Sequence, residues 1–213
     1  MDVYFSPLAC SVSVRIALYE AGLEARFIEV DRITKRIAGG GDYREVNPLG
    51  LVPLLRMDDG TSLTEASAIL QYVAVLAKAR GEESLAPNDD LGRARLQAWL
   101  SFVATELHKA VFAPQFLPDA PQAAKDCAMS LAPPRFEHIA RELEGRDYLL
   151  GERFSVADAY LVAVLGWTVL FPALALEKWP SLAAYAARAR ERPAVKRALS
   201  EELPLYQASR ASR

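Results

Sequence analysis

The chain has 213 residues, with 25 Lys+Arg against 27 Asp+Glu and a net charge of −2. That length allows one to two domains, and the charge balance leaves no electrostatic footprint for nucleic acid or an anionic membrane. Two cysteines (Cys10, Cys127) and two histidines (His108, His138) exclude a disulfide framework and argue against a structural metal, so no metal is expected.

Hydrophobic residues make up 52% and charged residues 24%, which predicts a globular chain that buries a core without staples. The start of the chain has no basic segment followed by an apolar run. A signal peptide is therefore not expected, and the thiols should stay reduced in the cytoplasm. Residues 159–176 carry no charge, but Gly166, Thr168 and Pro172 interrupt them. A buried core helix is expected there, not a membrane span.

In chain order, 3–5 reads as a strand. Residues 10–20 read as a helix with Val14, Leu18 and Ala21 on one face and Gly22 closing it. Residues 26–30 alternate as a second strand. Two runs, 51–57 and 61–63, flank Asp58-Asp59-Gly60 as a hairpin. A helix over 67–79 follows. The order β-α-β, a helix or loop, then β-β-α predicts a small mixed sheet with helices packed on it, the last pair of strands antiparallel.

Residues 80–89 are polar and broken by Gly81 and Pro87, which marks a linker between domains 1–79 and 90–213. Beyond it helices dominate. A long one is expected over 90–112, then a proline-marked loop, a helix over 122–131, and another over 136–143 split off by Pro133-Pro134. A buried helix follows over 155–170, then helices over 181–190 and 193–199. The tail from Glu201 is weakly patterned and expected to fray. His138 has no chemical neighbours in the pattern and is expected at the surface.

Several segments could carry chemistry. Cys10 lies in the strand–helix turn Ser6-Pro7-Leu8-Ala9-Cys10-Ser11. A helix dipole and free amides there would favour thiolate, although a small apolar role fits equally. No second cysteine follows for a dithiol mechanism. Pro53 opens a strand. A cis Val52-Pro53 bond would free the Val52 backbone for an extended peptide-like ligand, while base rates favour trans. Glu65 and Ser67 stand where helix amides bind a carboxylate, or where Thr64 or Ser67 simply cap the helix. Ser155-Val156-Ala157-Asp158 is a capping-box pattern with a structural role. In Glu106-Leu107-His108-Lys109, His108 and Lys109 read most simply as surface or satisfied partners.

Together these segments resemble cytosolic glutathione transferases, and within them the bacterial beta class. The likeness runs from Val3 to about Leu199. It rests on Tyr4-x-Ser6-Pro7-x-x-Cys10-Ser11, Asn47-Pro48-x-Gly50-x-Val52-Pro53, Leu63-Thr64-Glu65, Glu106-x-His108-Lys109 and Ser155-x-Ala157-Asp158-Ala159-Tyr160. The resemblance implies an α/β thioredoxin-like domain followed by an all-α domain, in a homodimer. It implies a cis Val52-Pro53 bond. It implies glutathione as co-substrate, with Leu51, Val52 and Pro53 along its cysteinyl part and Glu65, Ala66 and Ser67 at its γ-glutamyl end. Lys35 would lie near the glycine carboxylate, and Cys10 and His108 would face the sulfur.

The implied activity is conjugation of the glutathione thiolate to small hydrophobic electrophiles, a detoxification chemistry. Leu8, Phe112, Phe116 and Trp167 would line the second substrate, although such aromatics more often simply pack in a core. A Cys10–glutathione mixed disulfide is a further implied activity. Two departures stand out. The beta class often has Gly-Ser before the cysteine, where this chain has Leu8-Ala9, and many members have Ser after the acid, where this chain has Ala66. They motivate an alternative, a non-catalytic binding protein on the same scaffold.

Overall fold

The computed structural model describes residues 1–81 and 85–211. The chain divides into two compact units, Met1–Leu85 with Arg192–Arg213, and Ala86–Glu191.

The first unit is built on a four-stranded sheet of order β2-β1-β3-β4. Its elements are β1 (Asp2–Phe5), α1 (Val12–Glu20), β2 (Arg26–Glu29), β3 (Leu54–Arg56), β4 (Ser62–Thr64) and α2 (Ala66–Ala79). β1 runs parallel to β2 and antiparallel to β3, and β3 is antiparallel to β4. The α1 crossover imposes the first relation and the tight 58–60 turn the last. The turn closes with the Gly60 N–H donating to the Met57 carbonyl. α1 stops where Gly22 takes φ 59, which lets Leu23 reach back to the Leu18 carbonyl.

The same unit holds α8 (Pro193–Ala211). Here the structure corrects the sequence reading twice. Helix persists well past Glu201, through Pro204, and this stretch groups with the first unit rather than with 90–191. The reason is electrostatic and has no local signature. Arg192 pairs with Glu20 at 2.6 Å, and Glu201 and Glu202 each pair with Arg15 of α1 at 2.8 Å. Of the linker expected over 80–89, residues 82–84 lie outside the described residues, and Leu85 is buried.

The second unit carries α3 (Asp90–Phe102), a π-helical segment (Val103–Phe112), α4 (Gln122–Ser130), α5 (Ala132–Glu142), α6 (Val156–Leu165) and α7 (Pro180–Arg190). The single long helix expected over 90–112 therefore changes its winding at Val103. The two prolines 133 and 134 sit in the first turn of α5, where their missing N–H groups cost nothing. All ten residues of α6 are buried. It ends at Leu165 and gives way to 3-10 turns over Gly166–Leu170, shorter than the expected helix. No described helix is long and apolar enough to cross a membrane. His138 is half-buried, stacked 5.6 Å from the Trp99 ring, so its expected surface position does not hold.

Candidate active site

The sheet register gathers four loops at one end. Tyr4 pairs with both Ile28 and Leu54, and Leu54 pairs with Thr64. β1, β2 and β4 thus finish at the edge where β3 begins. The segments 6–11, 30–42, 47–53 and 65–67 all emerge there. Beneath them lies a core of Tyr4, Val30, Tyr43 and Leu54, with Val52 packed against it.

Cys10 does not sit in the helix, as the sequence reading had it, but in a tight turn before it; Ser11 is the N-cap of α1. Two serines lock the turn. The Ser6 hydroxyl donates to the Val30 carbonyl at 2.6 Å, and the Ser6 N–H donates to Ser11 Oγ, whose hydroxyl returns a bond to the Ser6 carbonyl. The amides of Val12, Ser13 and Val14 donate to the carbonyls of Ala9, Cys10 and Ser11. They close the turn instead of facing the thiol as expected. The thiol, 7% exposed, donates to the Val52 carbonyl at 3.4 Å.

The Val52-Pro53 bond is cis, against the base rate and as the resemblance implied. The preceding carbonyl, of Leu51, accepts from the Tyr43 hydroxyl at 2.9 Å and the Asn47 side-chain amide at 2.8 Å. Burial pushes the Tyr43 hydroxyl up to about 12, so it remains a donor at any physiological pH. Tyr43 is a site-building residue that the sequence reading missed; only Asn47 lay in a recognised motif.

Lys35 is half-buried at φ 61, its carbonyl held by the Tyr43 N–H at 2.8 Å. Burial, and then the charges of Arg32 and Arg44, lower its ammonium pKa. A Cβ at Gly50 would stand 3.4 Å from the Lys35 stem, and Gly50 itself needs φ 60, so glycine fits that position on both counts.

Glu65 is the N-cap of α2 at φ 65, and its side chain does not cap. This replaces the expected Thr64 or Ser67 cap. Its carbonyl takes the amides of Ala68 and Ile69, and its carboxylate is exposed. Ala66 is buried and Ser67 half-buried at the start of the helix.

Among the described residues, the non-glycines with positive φ are Leu8, Lys35 and Glu65. Each such conformation costs on the order of 1–3 kcal/mol and persists only where its surroundings impose it. All three lie at this one end of the sheet.

In the second unit, His108 sits in the π-helical segment. Its Nδ1 lies 2.9 Å from the Tyr160 hydroxyl, and its ring packs edge-on against Trp167 at 5.0 Å. Burial first, then the Lys109 charge, lower its pKa to about 4. The imidazole is therefore neutral at neutral pH. Phe112, Phe116 and Phe171 complete the aromatic group around Trp167. Lys109 is exposed, and Glu106 pairs with Arg135.

Residues 9–76 match the family description "glutathione S-transferase, N-terminal domain" and 98–193 match its C-terminal domain. A curated relative, glutathione S-transferase GstA of Escherichia coli O157:H7, is 40% identical over 202 residues, covering 95% of this chain and 98% of that protein. The chain belongs to the glutathione S-transferase family. Its fold is the glutathione transferase fold, a thioredoxin-like sheet unit and a helical unit. Two solved structures place it beside the bacterial members. A sphingomonad glutathione S-transferase complexed with glutathione is 40% identical with a TM-score of 0.87, the match covering 95% of this chain and 98% of that one. The bacterial beta-class transferase of Sphingomonas chungbukensis is 39% identical with a TM-score of 0.87 over the same shares.

Among the transferase's residues, the structure brings Cys10 to Val52 directly, and puts Lys35, Leu51, Pro53, Glu65, Ala66 and Ser67 on loops or helix starts at the same sheet end. His108 belongs to the other unit and is described within it.

Proposed function

We propose that the chain is a glutathione transferase that binds glutathione at the loop-bearing end of its sheet and conjugates the thiolate to small hydrophobic electrophiles. The observation that carries this reading is the clustering of strain. Leu8, Lys35 and Glu65, all left-handed, lie in the turn that carries Cys10 and in the segments expected at the glycine and γ-glutamyl ends of glutathione.

Each part of the tripeptide finds a matching group. The first-turn amides of α2, with Glu65 turned out beside Ala66 and Ser67, suit the charged γ-glutamyl end. The Val52 backbone suits the cysteinyl amide, since its carbonyl has a second lone pair beyond the one Cys10 engages. The Lys35 ammonium suits the glycine carboxylate. Its lowered pKa reflects burial first and then the charges of Arg32 and Arg44, and an incoming carboxylate offsets both by favouring the charged ammonium.

In the conjugation step the glutathione thiol gives up its proton to solvent water. The thiolate forms a carbon–sulfur bond, and the leaving group departs with its electron pair. His108 enters this reading on the family likeness. Neutral at neutral pH and with Nδ1 2.9 Å from the Tyr160 hydroxyl, its ring can donate or accept one further hydrogen bond at Nε2. The aromatic group around Trp167 offers the electrophile an apolar surface. Cys10 supports a second reaction on the same site. Its thiolate attacks a glutathione disulfide, the disulfide bond breaks, glutathione thiolate leaves, and a mixed disulfide remains. The family likeness also supports a cytoplasmic homodimer that removes toxic electrophiles.

Calorimetry with glutathione on wild type, Cys10→Ala and Lys35→Ala tests the reading, followed by turnover with aryl halides and epoxides. Binding by the first two, weakened about tenfold in Lys35→Ala, is the expected pattern. No binding by wild type would overturn it in favour of a binding protein for other partners.

A further inference from the structure

Glu202 has no part in the chemistry so far described, yet it is an unusual residue. Its side chain is fully buried, in a helix the sequence leaves unpatterned. Oε1 accepts from Arg15 Nε at 2.8 Å, and Oε2 accepts from the Leu8 N–H at 2.8 Å. Arg15 has company elsewhere. Its NH1 pairs with Glu201 at 2.8 Å, and its guanidinium lies 3.6 Å from the Phe27 ring centroid. An apolar side chain at 202 would avoid the desolvation of a carboxylate. Besides a partner for Arg15 Nε, the carboxylate supplies an acceptor for Leu8.

Leu8 is held at φ 53, a conformation that residues with a Cβ avoid. It stands two residues before Cys10 in a turn whose other bonds are fixed. The Ala9 N–H donates to the Ser6 carbonyl, and the Val12 N–H donates to the Ala9 carbonyl. A return of Leu8 to negative φ would rotate the peptide plane it shares with Pro7 and shift the Ala9–Cys10 step. The thiol would then leave the Val52 carbonyl.

We propose that Glu202 is a positioning residue: its bond to the Leu8 N–H holds the turn in the form that sets the Cys10 thiol against the Val52 carbonyl. This role rests on the reading of Cys10 and Val52 as the sulfur-binding part of the site.

The test uses full-length protein carrying Cys127→Ser, so that Cys10 is the one thiol present. Iodoacetamide alkylation of Cys10 at fixed pH is measured beside glutathione affinity. Glu202→Leu keeps much of the bulk and offers no acceptor to Leu8 or Arg15. Glu202→Asp keeps a counter-charge for Arg15 but is one methylene too short for Leu8. Arg192→Gln breaks the separate α8–α1 pair with Glu20 and controls for simple loosening of the helices.

Both Glu202 variants should alkylate at least about tenfold faster and bind glutathione about fivefold more weakly. Arg192→Gln should stay within about twofold at a similar loss of melting temperature. Equal rates in wild type and the Glu202 variants, or an equal rise in Arg192→Gln, would overturn the proposal. Independently of any variant, the wild-type Leu8 amide should exchange with solvent deuterium at least about a thousandfold more slowly than a free amide. Fast exchange there also overturns it. If wild type binds no glutathione, the glutathione reading fails, while alkylation and exchange still decide what Glu202 does.

Discussion

Among the described residues two acidic side chains, one in each unit, are fully buried, and they are buried for different reasons. Asp158 accepts from the Leu149 N–H at 3.0 Å, the Ser155 N–H at 2.9 Å, the Ser155 hydroxyl at 2.7 Å and the Tyr185 hydroxyl at 3.1 Å. Every donor is neutral, and the bonds tie the start of α6 to the loop before it. Glu202 accepts from a cation and from one amide, and that amide belongs to a strained residue. The first carboxylate closes a helix end in a core. The second ties a distant helix to the turn that carries Cys10. Burial alone therefore says little about purpose; the nature of the donors separates scaffold from site.

The comparison breaks most readily at Asp158. Asp158→Ala leaves the buried amides of Leu149 and Ser155 and the Ser155 hydroxyl without their carboxylate acceptor, at about 1–3 kcal/mol each. A loss of about 4 kcal/mol in urea unfolding is expected, with glutathione affinity of the folded fraction unchanged. If affinity falls as much as stability, Asp158 is not purely structural and the contrast fails.

The pH dependence of stability sharpens the same contrast. Burial, with a smaller push from the Glu201 charge, raises the Glu202 carboxyl to about 7 against the lowering pull of Arg15 and the Leu8 N–H. Tyr19 and Arg197 also face this cluster through Glu201. Between about pH 4.5 and 7 the native state holds a proton here that the unfolded chain has released. Stability contributed by this group is complete below 4.5 and is lost as pH rises through 7. At 1.36 kcal/mol per pH unit the loss reaches about 3 kcal/mol. Glu202→Gln should remove it, so the free energies of wild type and variant should draw together as pH rises from 5 to 7. A constant gap would mean that Arg15 keeps the acid ionised throughout.

His108 works in the opposite sense. Its folded pKa of about 4 lies below the unfolded value near 6.5. The unfolded chain takes the extra proton between those limits, so this contribution is absent at pH 4 and grows to about 2–3 kcal/mol by pH 6.5. His108→Gln should flatten that rise. An imidazole carbon resonance titrating below pH 5 in wild type would agree; one titrating near 6.5 would not.

The sequence made the Asp158 side of this contrast readable and hid the Glu202 side. Ser155 and Asp158 are three residues apart and precede an unbroken apolar run, so short-range spacing suffices to state the cap and its role. The turn, the cis Val52-Pro53 bond and the arrangement of Lys35 and Glu65 were reachable through family likeness, because their motifs are compact. Glu202 lies 187 residues from Arg15 and 194 from Leu8, flanked by a helix-breaking proline. Periodicity, composition and capping rules all act within a few residues, so none could join it to Cys10. Tyr43 escaped for a milder version of the same reason: its hydroxyl reaches Leu51 across a turn that only the fold brings together.

The smallest expected effect lies at Leu8 itself, where related beta-class chains often carry glycine. Relief of a left-handed leucine is worth about 1–2 kcal/mol, while the added freedom of glycine in the unfolded chain takes back about 0.5–1 kcal/mol. Leu8→Gly should therefore be neutral to slightly stabilising, within about 1 kcal/mol. Its value lies in combination. If Glu202 acts through Leu8, Glu202→Asp should cost less positioning of Cys10 when residue 8 is glycine, since φ 53 then needs no enforcement. The rise in Cys10 alkylation caused by Glu202→Asp should shrink at least threefold in the Leu8→Gly background, a coupling of about 0.7 kcal/mol. Additive effects would show that the carboxylate reaches the thiol by another route, such as the placement of α1 through Arg15.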